Sequence, residues 1–486
     1  MTGSGEQFLE ELRRLVSAGF SLVLVVTHEE ARALRAVRGL VPRASAPVWT
    51  VTGGWDDTGA CKDAAEAVLA AAASESEALH VMLDPHPFLG APAFVRALRD
   101  FVRSSAQKRR VLVMIAPVAE VPIELEKDLA VLELPLPTDG DLRNLLVAGE
   151  PKVPIPATWE VAAMVRAARG LTWVEAQRAY RVARQQPTAE QALRKVTAEK
   201  RRVMRRSASV ELVEAEVGID DVGGLEVLKG WLRARVKSFG DEARAFGLPE
   251  PRGMLICGVQ GCGKSLVTKA ASAVLGIPLV RLDFATVFSS PSPEHALRQA
   301  MRISEAIAPL VLWVDEIEKG LAGAAADANQ ARVFGDFLVW LQEKKEPVFV
   351  AATANEVEQL PPELARRGRF DDVFFVDLPA WREREEILAI HLKHRGRDPG
   401  RYDVRELTRS LDHFSGAELE QVVISGLFRA FSLGRELTDD DLKHAASEVV
   451  PLATMYEEKI QALRSWAATR ARRASADRRA LELFED

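Results

Sequence analysis

The chain has little of what would tie it to an oxidising compartment, a membrane or a polyanion. Only three cysteines occur, Cys61, Cys257 and Cys262, an odd number without metal-ligand spacing, so neither a disulfide framework nor a zinc site is indicated. No apolar run reaches the ~18–20 residues that span a bilayer. The first residues, MTGSGEQFLEELRRL, are acidic and amphipathic and lack the basic-then-apolar layout of a signal peptide, so a cytoplasmic location without membrane attachment is expected. A net charge of −6 gives no global pull toward nucleic acid or anionic lipid. What remains is an ordinary globular composition, 48% apolar and 28% charged, over 486 residues. That length is too great for one core and suits two or three domains.

The residues with most chemical content begin at Arg252. Gly253 to Gly258 (GMLICG) form a short apolar run suited to a buried parallel strand. The next residues, Gly258-Val259-Gln260-Gly261-Cys262-Gly263-Lys264-Ser265, are a full G-x-x-x-x-G-K-S, and Leu266 opens a helical run. Glycines let backbone N–H groups curl around phosphate oxygens, and the helix N-terminus adds partial positive charge. In that arrangement Lys264 reaches the β- and γ-phosphates of ATP and Ser265 holds Mg²⁺. A chance Gly-rich turn is the bland alternative, and the strand-loop-helix order speaks against it. Leu310 to Val314 (LVLWV) form a second buried strand that ends in Asp315 and Glu316. Asp315 suits Mg²⁺ coordination through water, and Glu316 suits deprotonating the attacking water. On its own the acid pair would read better as a helix cap; paired with a phosphate loop it does not. A third strand, Pro347 to Thr353, leads to Asn355, placed to hydrogen-bond the γ-phosphate and the lytic water. The cluster Arg366-Arg367-Gly368-Arg369 follows, and arginine's planar, permanently charged fork fits a phosphoryl transition state.

Taken together these motifs resemble an AAA+ ATPase of the unfoldase-type AAA clade. The resemblance implies further roles. Asp221, Val222 and Gly223 match the run whose backbone contacts adenine. Ile387 and His391 match the lid positions over the base, and Gly416 and Ala417 lie in the lid turn beside the nucleotide. Arg366 and Arg369 fall on the arginine fingers that act on a neighbouring subunit's ATP, which implies a homo-oligomer, a hexamer being favoured. A narrower resemblance, carried by LPPELARRGRFDDVFF, QARVFGDFLVWLQEK and VVPLATMYEEKIQALRSWA, is to the hypothetical-reading-frame AAA ATPases of plastid genomes and cyanobacteria.

The N-terminal half alternates strands and helices, which indicates a parallel α/β sheet. Residues 111–137 repeat the pattern of residues 348–379: strand, polar turn, P-x-E-L, strand and a closing L-P. Asp84 falls opposite Asp315, and residues 169–179 fall opposite the lid turn. The half is therefore expected to be a degenerate AAA-like module; a generic doubly wound domain is the alternative. Its chemistry is absent. Val26-Thr27-His28-Glu29-Glu30 stands where a phosphate loop belongs, and Pro85 stands for the catalytic glutamate.

The expected division is a degenerate AAA-like α/β domain over 1–137, a lid-like helical segment over 138–189 and a basic helical linker over 190–215. A large ATPase subdomain over 216–380, a helical lid over 381–460 and a charged tail over 461–486, whose end from Thr469 is read as a frayed helix, complete it. The linker's Arg194–Arg206 run has seven basic residues and one acid but no interleaved aromatics for base stacking, so nucleic acid is not the expected partner. One departure from the clade stands out. Val287-Phe288-Ser289-Ser290-Pro291-Ser292-Pro293 replaces its aromatic-x-Gly pore loop, which weakens substrate threading. The expected function is ATP hydrolysis with Mg²⁺ in a ring that remodels or regulates a protein partner. An ATP-switched scaffold with slow turnover is the alternative, and a nucleic-acid remodeller ranks third.

Overall fold

The computed structural model describes residues 3–41, 46–74, 79–105, 110–119, 121–148, 159–204, 209–214, 217–239, 241–322, 328–361, 364 and 368–476. The chain divides into two compact units, residues 1–203 and 204–486. No helix among the described residues is long and apolar enough to cross a membrane.

The first unit is built on six strands: β1 (Leu22–Val26), β2 (Val48–Thr50), β3 (Gly54–Trp55), β4 (Leu79–Leu83), β5 (Val111–Ala116) and β6 (Leu129–Glu133). Their order is β3-β2-β4-β5-β1-β6, parallel throughout except the β2–β3 pair. β1, β4 and β5 are buried at every residue, which is why they read as unbroken apolar runs rather than alternating ones. Alternate residues serve opposite faces. Val23 and Val25 meet helices Ser4–Ser17 and Glu30–Arg38, whereas Leu22 and Leu24 meet helices Ala64–Ala73 and Pro92–Ser105. A separate helical cluster has its own core of Leu142, Leu146, Met164, Ala176, Tyr180 and Val196.

The second unit carries β7 (Val210–Val213), β8 (Gly253–Gly258), β9 (Leu279–Leu282), β10 (Leu310–Val314), β11 (Val348–Ala354), β12 (Asp372–Val376) and β13 (Arg472–Arg473). The order is β13-β12-β8-β11-β10-β9-β7, with only β7 antiparallel to its neighbour. A helical lid follows, with Leu388, Leu392, Leu419, Val422 and Leu442 at its core. The run β12-β8-β11-β10-β9 has the same order and direction as β6-β1-β5-β4-β2 of the first unit. An AAA-like α/β module thus precedes an AAA module, as the internal repeat implied.

Two stretches differ from expectation. The stretch over 190–215 is helical as expected, but its described residues are packed. Helix Ala189–Met204 buries Ala192, Val196 and Lys200 along one side, and Val210–Val213 pairs with β9. The i, i+4 spacing of those three residues is what turns a basic run into a packed helix. The C-terminal stretch is not a frayed helix up to Ala476 either. Helix Glu457–Arg470 buries Ile460 and Ala467, the chain then runs as β13 beside β12, and Ala474 is wholly buried. The rest of the tail, 477–486, lies outside the described residues.

Candidate nucleotide site

β8 delivers the chain to the loop Gly258–Gly263, and helix Lys264–Leu275 leaves it. Gly258, Gly261 and Gly263 have φ of 146°, 78° and 87°, a region that a side chain disfavours and that a loop curled around an anion requires. Val259 and Gln260 fill the turn between them. Lys264 is 6% exposed, and its Nζ donates to the carbonyls of Gly258 at 2.9 Å and Val259 at 2.7 Å. Burial pushes its ammonium down from the usual lysine value. An enclosed cation bonded to its own loop's carbonyls fits a phosphate chain.

Beside it, Ser265 Oγ donates to Asp315 Oδ1 at 3.0 Å, and Thr353 Oγ1 donates to the same oxygen at 2.7 Å. No group of three or more acidic, His or Cys side chains among the described residues forms a metal cluster. One carboxylate and one hydroxyl are nevertheless the donors that suit Mg²⁺ carried by phosphates, which keeps most of its ligands as water and phosphate oxygen. The next residue, Glu316, has φ 49°, and its N–H donates to Thr353 Oγ1 at 2.9 Å. Asn355 Nδ2 donates to Glu316 Oε1 at 2.8 Å, and Lys319 forms an ion pair with Oε2. Below lies Glu318, 3% exposed, accepting the Asn355 N–H at 2.8 Å; burial pushes its carboxyl up despite the backbone N–H groups it accepts.

A cavity of about 530 Å³ adjoins the loop. Its walls include the expected Asp221, Val222, Gly223, Gly261, Cys262, Gly263, Leu266, Ile387, His391, Gly416 and Ala417. Gly223 is obligatory here, because a Cβ would stand 2.6 Å from Ile387 Cγ1. Burial pushes the His391 imidazole down, toward the neutral form. His394 Nε2 lies 2.9 Å from Asp221 Oδ1 and joins the lid to the segment before helix Glu226–Arg233. The apolar walls fit a flat base, and the cavity's position beside the loop fits a nucleotide.

Of the two arginines, Arg366 lies outside the described residues. Arg369 makes no hydrogen bond to the described residues, and its Nη1 is enclosed without a partner. Phe370 is buried beside it, and Asp371 accepts the N–H groups of Arg252 and Gly253 at 3.0 and 3.2 Å, which ties this loop to the start of β8.

Several contributors went unread in the sequence. Ile390 and His394 line the cavity one helical turn after Ile387 and His391, and the i, i+3 rule was the signal for them. Thr353 and Lys319 had no motif to mark them; Thr353 matters only because β11 lies next to β10.

The strand order, the phosphate loop and the acid pair define an AAA-type P-loop ATPase module. Comparison with known proteins agrees. The family model "ATPase family associated with various cellular activities (AAA)" matches residues 254–378, and the model of the SpoVK-like AAA ATPase N-terminal domain matches residues 8–134. The chain is 33% identical over 488 residues to the AAA domain-containing protein ycf46 of Pyropia yezoensis, covering 96% of this chain and 99% of that one. It is 33% identical over 481 residues to ycf46 of Guillardia theta, covering 95% of each. A shorter likeness, 30% over 216 residues, covers 42% of this chain and 53% of the proteasome-activating nucleotidase of Aeropyrum pernix. The chain belongs to the ycf46 family of AAA domain proteins, which is the narrower resemblance noted above.

Proposed function

We propose that the second unit binds ATP with Mg²⁺, hydrolyses it to ADP and phosphate, and works in a ring of copies, six being expected, that acts on a protein partner. The observation that carries this reading is Glu316 held by the Asn355 amide next to the Asp315–Ser265 oxygen pair and the enclosed Lys264. When bound, Mg²⁺ supplies charge neutralisation at the phosphate oxygens. Ser265 and Asp315 would hold it. Lys264 exchanges its loop carbonyls for phosphate oxygens. Asn355 keeps Glu316 turned toward the attacking water, and Glu316 accepts that water's proton once Lys319 has released Oε2. The water oxygen bonds to the terminal phosphorus as the bridging P–O bond breaks.

Arg366 and Arg369 belong to a neighbour's site in this reading. Support comes from their place in the chain, between Asn355 and β12, and from arginine's permanently charged fork, which suits a phosphoryl group. The likeness to the proteasome-activating nucleotidase of Aeropyrum pernix favours a protein partner. Nucleic acid is disfavoured: in the basic helix Lys200 is buried, and Arg194 and Arg202 pair with Glu190 and Glu199. Replacing Glu316 with Gln tests the core of the reading. ATP binding should persist while turnover falls by ~10²–10⁴, the usual worth of a general base. Turnover at the wild-type rate would remove Glu316 from the role.

One observation favours the alternative of an ATP-switched scaffold without threading. Phe288 stacks on Phe284 with ring centroids 5.8 Å apart and packs against the core below the sheet. Ser289 Oγ is bonded to Ala285 O, and Pro293 opens the next helix. No aromatic side chain is left at this loop to grip an extended polypeptide.

A further inference from the structure

In the first unit, the position equivalent to the phosphate loop is filled by the unit's own side chain. β1 ends at Val26, and helix Glu30–Arg38 starts after only Thr27, His28 and Glu29. Glu29 is 6% exposed. Its Oε1 accepts the backbone N–H of Trp173 at 2.5 Å, and its Oε2 accepts Arg32 Nη1 at 2.6 Å. Trp173 opens helix Trp173–Ala183, which is preceded by a Thr172–Glu175 capping box. In the second unit, helix Gly416–Ser432 has the equivalent box, Ser415–Glu418, and meets the phosphate loop through Ala417 N–H to Gly261 O at 3.0 Å. Both units thus bring a lid helix onto the loop after their first core strand. In the first, a carboxylate makes the contact. It lies where the amino ends of two helices converge beside a guanidinium, surroundings that otherwise hold a phosphate group.

The carboxylate is also part of a larger network. Arg32 Nη1 donates to Pro135 O at 2.8 Å, in the connection that leads to the lid, and Nη2 donates to Ser4 Oγ at 2.5 Å. Ser4 Oγ in turn donates to Asp141 Oδ2 at 2.6 Å, and Thr138 donates to the same oxygen through N at 3.0 Å and Oγ1 at 2.9 Å. Ser4 and Asp141 are 1% and 4% exposed. Burial raises the Asp141 carboxyl, but the hydrogen bonds from Ser4 and Thr138 outweigh it and hold the group below the usual carboxylate range. One buried polar network therefore joins the N-terminal helix, the base helix Glu30–Arg38, the connection at Pro135 and Thr138, and two lid helices. A partly broken network of this kind is costly, because each member left alone is desolvated without a partner.

We infer that Glu29 is a built-in anion that occupies the phosphate position of the first unit and holds its helical lid shut without nucleotide. The first unit is then a module of fixed shape, and only the second can open and close with ATP.

Hydrogen exchange on the full chain tests this, read at the amides of residues 172–176, with β5 as the folding control. In the wild type these amides exchange slowly and respond to neither ATP nor millimolar inorganic phosphate. In Glu29→Ala they should exchange about tenfold faster or more, the loss expected for a hydrogen bond to a charged group. Millimolar phosphate should slow them again, because Arg32 and the two helix ends remain to receive an anion. Should Glu29→Ala also speed exchange in β5, the isosteric Glu29→Gln decides the matter: the lid amides must quicken while β5 does not. Unchanged lid exchange in a folded Glu29→Gln, or wild-type lid amides that slow in phosphate, would overturn the inference.

Discussion

The two clefts of this protein share a strand order and an aspartate after the equivalent strand, and differ in the charge that opens the helix after the loop. In the second unit, helix Lys264–Leu275 opens with a buried ammonium, and Ser265 touches Asp315 just beyond β10. In the first, helix Glu30–Arg38 opens with a carboxyl at the corresponding place, and Asp84 follows β4 as Asp315 follows β10. Burial and the nearby Asp84 charge push the Glu30 carboxyl up, the response of two acids held near each other. One cleft is built to receive negative charge, and the other already contains it. The β-sheet alone therefore says nothing about nucleotide use. A few side chains at the ends of its strands decide that.

The contrast can be broken or sharpened by experiment. The largest effect is expected from Arg369→Ala, which should leave ATP binding to the protomer intact and lower turnover by ~10³–10⁵, the range for an arginine finger. Mixing it with Lys264→Ala chains should restore some activity through the neighbour's intact groups. Absence of recovery in demonstrably mixed oligomers would confine each site to one subunit. Next comes Lys264→Ala in the full chain. Fluorescent-nucleotide titration should show affinity reduced by about 100-fold, in line with loss of a charged hydrogen-bond donor, and no residual tight site. A micromolar site that survives would belong to the first unit and would end the contrast. A smaller change is expected from Phe288→Ala, which should cost about 2 kcal/mol of stability through lost packing on Phe284. Thermal unfolding reads this directly. If stability and ATPase were kept while action on a partner disappeared, Phe288 would be a gripping residue and the scaffold reading should be dropped. The smallest effect concerns Lys319→Met. Its exposed pair with Glu316 contributes on the order of 1 kcal/mol or less. Freeing Oε2 should raise kcat two- to fivefold at unchanged ATP affinity, by about that energy. A lower kcat would show instead that Lys319 assists the reaction.

The second cleft was legible in the sequence because its signals are short and local. The phosphate loop and the acids after β10 each span only a few residues, and each residue type has a chemical reason for its place, whereas the lid positions followed from the family resemblance. The first cleft was legible only as a set of missing residues. What fills it depends on Glu29 meeting Trp173, 144 positions further along the chain, and no spacing rule reaches that far. The same holds for Thr353, which touches Asp315 and Glu316 only through strand adjacency. Composition misled at both basic stretches. Arg194–Arg206 and the tail look solvated by charge count, yet Lys200 is buried, and Ala474 is wholly enclosed where the tail joins the sheet. Helical periodicity and strand pairing override charge counts wherever a few small apolar residues fall in register.

That last junction has a consequence for handling the protein. β13 is two residues long, exposed and doubly basic, and it lies along the outer side of β12. Arg464 forks onto Asp377 just past the end of β12, and Ala474 donates its N–H to Phe375 O. A short strand carrying two like charges is a poor template for another chain, so it shields the apolar β12, DVFFV, from recruiting a second molecule. Removing residues 472–476 would bare that backbone edge. The damage would appear first as self-association on concentration, well before any loss of fold.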